Sequence, residues 1–182
     1  QQAEKIYYDS IPNRNYNIYD HLDTDVLKAF RREAHISNNV DDELLLENLQ
    51  AFTENGDVKR GAILFFDKHP ETLFFHAVVR CTQFKGTDKL HIIDDKTFGG
   101  PLVAQYEQAL SWLQDKLNLE YEIKGIGART EKWEMPLDVF REALINALAH
   151  RDYYEQGAFT NVEMYDDRIE ITNPGGLLPL VA

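Results

Sequence analysis

The feature that most constrains the fold is a one-sided helix. From Pro101 to Leu117 the chain reads "PLVAQYEQALSWLQDKL", and Leu102, Tyr106, Ala109, Leu110, Leu113 and Leu117 share one face at helical spacing. Pro101 stands where a helix starts, because its fixed φ and missing N–H suit the first turn. A helix with a single apolar face must lie on something flat. The runs around it supply that layer: "GAILFF" (61–66) and "HAVVRCTQF" (76–84) are short, β-branched or aromatic, and bounded by polar turns. "YEIKGI" (121–126) reads as a further strand. "TNVEMYDDRIEITNPGG" reads as a hairpin turning at Asp166 and Asp167, with Val162, Met164, Ile169 and Ile171 on one buried face.

Upstream, "DTDVLKAFRREAHI" has an N-cap in Asp23 or Thr24, then Val26, Leu27, Phe30 and Ala34 at helical spacing. "DDELLLENLQAF" (41–52) reads as a second helix, opened by acids and closed by "ENG". Residues 1–22 lack sustained periodicity and read as an extended arm with one short strand near "KIYY". The expected fold class is therefore α+β: a mainly antiparallel or mixed sheet with helices on one face, preceded by a small helical segment. The expected organisation is an arm and helical segment over 1–57 and an α+β domain over 58–182.

Bulk properties exclude several classes of function. A chain of 182 residues can bury a real core, and its 43% hydrophobic content is that of a globular protein. The formal net charge of −12, from 31 acidic and 19 basic residues, repels phosphate backbones and anionic membranes. Cys81 is the sole cysteine and lies in an apolar run, so a buried structural thiol is expected, in a reducing, cytoplasmic compartment. No segment approaches a membrane span, and "QQAEKIYYDS" carries no export signal. The absent initial Met and the stop at "GGLLPLVA" suggest a fragment, truncated at its C-terminus. One Cys, with His at 21, 35, 69, 76, 91 and 150, gives no close ligand spacing, so zinc is not expected. Trp112 and Trp133 are expected in the core or at a subunit contact.

The chemistry concentrates in "REALINALAHRDY", which Pro136 opens as a helix. Glu142, Asn146 and His150 recur every four residues and so share one stripe. A carboxylate beside a carboxamide can hold a hydrated divalent cation through the amide oxygen while the carboxylate takes a proton from an attacking water. From spacing alone the plainer reading is favoured, with Glu142 paired to Arg141 or solvent and Asn146 capping or facing water. His150, Arg151 and Asp152 could reach a phosphate or a neighbouring subunit, or could simply end the helix, since cations there complement its dipole. "RIEITNPGG" ends a strand in Asn173, Pro174, Gly175 and Gly176, which leaves bare main chain for a ligand or forms an ordinary turn.

In this order, "EALINALAHRDY" and "DDRIEITNPGGL" resemble bacterial RecG-related ATP-dependent DNA helicases, a family also described as transcriptional regulators. "RGAILFFDKHP" and "VVRCTQFKGTD" extend the resemblance over most of the chain from about residue 20. It implies a core similar to the Bergerat (GHKL) ATP-binding fold of gyrase and histidine-kinase ATPases. By resemblance, Glu142 is the general base and Asn146 coordinates Mg²⁺ on the ATP phosphates; His150 and Arg151, which follow the Asn, are further candidates for nucleotide binding by position alone. Asn173, with Gly175 and Gly176, takes the place of the family's adenine-binding Asp-x-Gly-x-Gly. Here Asn173 brings no charge and the second glycine comes one position early, while the lid over the phosphates would lie beyond Ala182.

No Gly-x-x-x-x-Gly-Lys-Ser/Thr run exists, so a helicase motor is not encoded here. The resemblance implies a nucleotide-binding regulatory module with ATP hydrolysis as an open activity. The alternative is a non-catalytic scaffold or oligomerisation domain with a degenerate site. It further implies a homo-oligomer whose parent protein contacts DNA through flanking domains, a Schlafen/AlbA-type domain before and a winged helix after.

Overall fold

The computed structural model describes residues 7–123 and 136–175. They form an α+β fold of two compact units. The first comprises the residues up to Ala77 together with Gly99–Ala104, and the second comprises Val78–Phe98 and the residues from Gln105 onward.

In the first unit a two-residue strand β1 (Pro12–Asn13) pairs antiparallel with β2 (Val58–Lys59). Between them run α1 (Thr24–Glu33) and α2 (Asp42–Asn48), and α3 (Arg60–Phe66) follows β2 directly. Asp23 caps α1 by accepting from the backbone N–H of Asp25 and of Val26, both at 3.0 Å. Asp41 caps α2 through the N–H of Leu44 at 2.7 Å. Each cap satisfies amides that the first helical turn leaves without partners.

Both helices end in the same way. The N–H of Ile36 reaches back to the carbonyl of Arg31 and that of His35 to Arg32, while Ala51 reaches Leu46 and Gln50 reaches Glu47. These paired bonds need a left-handed residue at the exit, a position usually given to glycine. Here His35 (φ 54°) and Gln50 (φ 56°) fill it. The second helix therefore stops at Asn48 rather than running on to Phe52, and Gly56 (φ 82°) instead turns the chain within the Thr53 to Asp57 loop.

"GAILFF" is not a strand but α3, with Ala62, Ile63, Leu64 and Phe66 buried and Phe65 exposed. An unbroken apolar run carries no period, and its surroundings decide between the two structures. The arm supplies those surroundings. A 3-10 turn at Tyr8–Ser10 sets Asp9 against Gly61, where a Cβ would meet the Asp9 Cβ at 3.1 Å, and the Arg60 guanidinium lies over the Tyr8 ring at 4.8 Å. Of the "KIYY" strand expectation, Tyr8 belongs to this turn, and Lys5 and Ile6 lie outside the described residues. Tyr16 donates its hydroxyl to the buried Asp67 carboxylate, fastening the arm to the exit of α3.

The second unit is a four-stranded sheet in the order β4, β3, β5, β6, formed by β3 (Val79–Phe84), β4 (Ile92–Phe98), β5 (Thr160–Met164) and β6 (Ile169–Thr172). β3 runs antiparallel to β4 and parallel to β5, and β5 and β6 form the expected hairpin. α4 (Leu102–Ile123) contributes Ala109, Leu110, Trp112 and Leu113 to the core. Trp112 Nε1 (2.9 Å) and Lys116 Nζ (2.6 Å) both reach the Asp94 carboxylate, which ties the helix to β4. The strand expected at "YEIKGI" is corrected in part: Tyr121–Ile123 continue α4, and Lys124–Ile126 lie outside the described residues. Cys81 is fully buried in β3, and burial pushes its thiol pKa up to about 12. Among the described residues no helix is long and apolar enough to cross a membrane.

Candidate functional site

α5 (Leu137–Ala149) begins at Pro136, as its sequence requires. It buries Phe140, Leu144, Ala147 and Leu148, and it contacts β6. With that face inward, the four-residue repeat of Glu142, Asn146 and His150 falls on the exposed side. At 1.5 Å per residue, Glu142 and Asn146 stand about 6 Å apart along the axis, and His150 lies about 6 Å further on. The stripe is not purely polar. Val139 (45% exposed) and Ile145 (52%) flank it, two apolar residues that a polar repeat does not reveal.

His150 closes the helix, its N–H bonding to the Asn146 carbonyl at 2.9 Å. The residues after it divide by role. Arg151 turns inward and is 6% exposed, with Nη2 on the carbonyl of Ala158 (2.7 Å) and Nη1 on Thr160 Oγ1 (3.3 Å). Its guanidinium also lies over the Tyr153 ring at 5.3 Å. Arg151 therefore clamps the loop that leads into β5 and does not extend the exposed stripe. The Tyr153 hydroxyl donates to the Leu148 carbonyl at 3.0 Å, satisfying a group that the last helical turn leaves open.

The two sequence motifs meet at this end of the helix. The Asp152 N–H donates to the Pro174 carbonyl at 2.9 Å. Gly175 (φ 130°) fits closely against the same residues: a Cβ there would lie 3.3 Å from the Asp152 Cβ and 3.7 Å from the His150 carbonyl oxygen. That backbone conformation is open to glycine and costly for other residues. Asn173 is half-buried, with Nδ2 3.5 Å from the Pro174 carbonyl. Gly176 lies outside the described residues. The structure thus brings Asn173, Pro174 and Gly175 to His150 and Asp152, while Glu142 and Asn146 lie further back along the exposed face. Among the described residues no three His, Cys, Asp or Glu side chains gather as a metal site.

No family model matches the chain, and no curated protein matches it. Among solved structures it is similar to the DIP2311 protein from Corynebacterium diphtheriae, with a TM-score of 0.66 and 18% identity. The fold is shared. The match covers 96% of this chain and 33% of that one, so the chain spans about a third of the length of the protein it matches.

Proposed function

We propose that this chain is part of a RecG-related transcriptional regulator of the cytoplasm, with a nucleotide-binding regulatory module in its second unit. The observation that most supports the reading is the meeting of two segments at one helix end, through Asp152 and Pro174, with Glu142 and Asn146 exposed on the same helix. Asn146 would offer its amide oxygen to hydrated Mg²⁺ on the ATP phosphates, and Glu142 would take the proton of an attacking water. The half-buried Asn173 would present its amide to the base, with Gly175 keeping the turn tight. Mg²⁺ retains several waters and would be held here by one or two protein groups plus phosphate oxygens. DNA would be contacted through flanking domains, and the parent protein would self-associate.

A second reading is a scaffold or oligomerisation domain with a degenerate site. Val139 and Ile145 favour it, because exposed apolar side chains beside Glu142 suit a protein partner better than a triphosphate. One experiment separates the two: thermal unfolding of the full-length protein with and without Mg-ATP, repeated with Asn146→Ala. Stabilisation lost in the variant supports a working site, since only a ligand bound to the folded state raises stability. No shift at millimolar nucleotide rejects it in favour of the scaffold.

A further inference from the structure

Among the described residues β4 is the last strand on its side of the sheet, paired with β3 and with nothing beyond it. Five of its seven residues are exposed; Ile92 and Ile93 stand 56% and 57% accessible, with Leu90 just before them at 76%. An open strand edge presents backbone N–H and C=O groups that are ready to pair with another strand. Exposed isoleucines do not protect such an edge, because they gain by being covered. We infer that β4 pairs antiparallel with β4 of a second copy of this chain, joining two four-stranded sheets into one. The inference rests on the self-association proposed above and names the surface that carries it.

The order of charges along β4 fits a copy of itself. A two-fold axis at Asp95 sets Asp94 of each copy opposite Lys96 of the other, and opposed residues in an antiparallel pair share a face. An axis one residue to either side instead sets Asp94 or Lys96 against its own copy. Opposite charges directly across a strand pair attract, with their Cβ atoms about 5 Å apart. Lys116 and Trp112 both bond Oδ2 of Asp94, which leaves Oδ1 to accept from Lys96 of the second copy. The central pair is Asp95 against Asp95. Each is offset within its own chain by Arg80, at 2.6 Å and 3.0 Å, and by Thr82 at 3.1 Å.

The bulge does not close this edge. Ile93 is the extra residue, so Asp94–Phe98 keep a regular register on β3. Under the same axis, the Ile92 and Ile93 end of each copy lies beside the Thr97 and Phe98 end of the other, which removes apolar surface from water. Two chains of net charge −12 repel, but that repulsion is screened beyond about 8 Å at physiological salt, whereas cross-strand pairs act at about 5 Å. Pairing β4 with β6 of another copy would be head-to-tail and could run on into a fibre. Pairing β4 with β4 uses one patch twice and closes at two copies.

The test is sedimentation equilibrium of the protein at physiological salt, joined to amide hydrogen exchange over residues 92–98 at high and low concentration. A monomer–dimer equilibrium is expected, with β4 amides protected in the dimer and exchanging faster on dilution. Each substitution enters the symmetric interface twice, so Lys96→Glu should raise the dissociation constant roughly tenfold. Ile93→Lys, at an exposed residue outside the β3 register, should weaken the dimer similarly and leave the far-ultraviolet spectrum unchanged. A monomer at every concentration overturns the inference, whether its β4 amides exchange freely or are covered within the chain. So does a ladder of larger species, which marks head-to-tail pairing. A dimer that survives both substitutions leaves self-association standing and overturns the β4 assignment alone.

Discussion

At the scale of the residue, strain is concentrated at a few backbone positions with positive φ. Gln50 ends α2 at φ 56° and its side chain is exposed, so nothing offsets its left-handed backbone. Gln50→Gly is expected to stabilise the protein by about 1 kcal/mol, read as a higher denaturant midpoint with an unchanged slope. Gly175 is the converse case. Gly175→Ala forces a Cβ to within 3.3 Å of Asp152 at φ 130° and should cost about 1–3 kcal/mol in the same measurement. Positions such as Gln50 were not legible beforehand. A glutamine in a polar stretch carries no sign that its φ is positive, whereas the Gly175 turn was visible because Pro and Gly mark turns by their own geometry.

At the scale of the element, Asp94 binds a helix to a strand. The hydrogen bond from Lys116, helped by that from Trp112, holds its carboxyl below the usual carboxylate range. A folded-state pKa below the unfolded value contributes stability that is present above the unfolded pKa and lost as pH falls through the folded one. Acid titration of unfolding should therefore show stability falling as pH drops below the ordinary Asp range. In Lys116→Met that limb should be shallower, with lower stability at neutral pH.

The elements legible in the sequence were those with a period, a cap or a β-branched run between turns: α1, α2, α4, α5, β3, and the β5 and β6 hairpin. The two-residue strands β1 and β2 are too short to carry a pattern, and α3 and β4 were hidden for other reasons. α3 is buried on several sides and shows no alternation. In β4 the register moves from Gln83 opposite Asp94 to Phe84 opposite Ile92, so Ile93 is an extra residue. With Ile92 and Ile93 both exposed, no alternation was there to find. The candidate site was legible as a spacing, but the inward turn of Arg151 depends on the later residues Ala158 and Thr160, which no local pattern connects to it.

At the scale of the whole molecule, charge and topology set the behaviour. With a net charge of −12, this stretch of chain should not retard duplex DNA at physiological salt in a mobility-shift assay. A retarded band would show that local patches outweigh the overall field. Topology governs how the second unit comes together. The β3 to β4 and β5 to β6 pairs join neighbours in the chain, and each can close quickly. The parallel pair sets Val79 beside Thr160, about eighty residues away, and closing so long a loop costs chain entropy before any contact repays it. The sheet is therefore assembled from two fast hairpins and one slow join. During synthesis β3 waits with one edge open until β5 emerges, and that interval is when the chain is most exposed to misassociation.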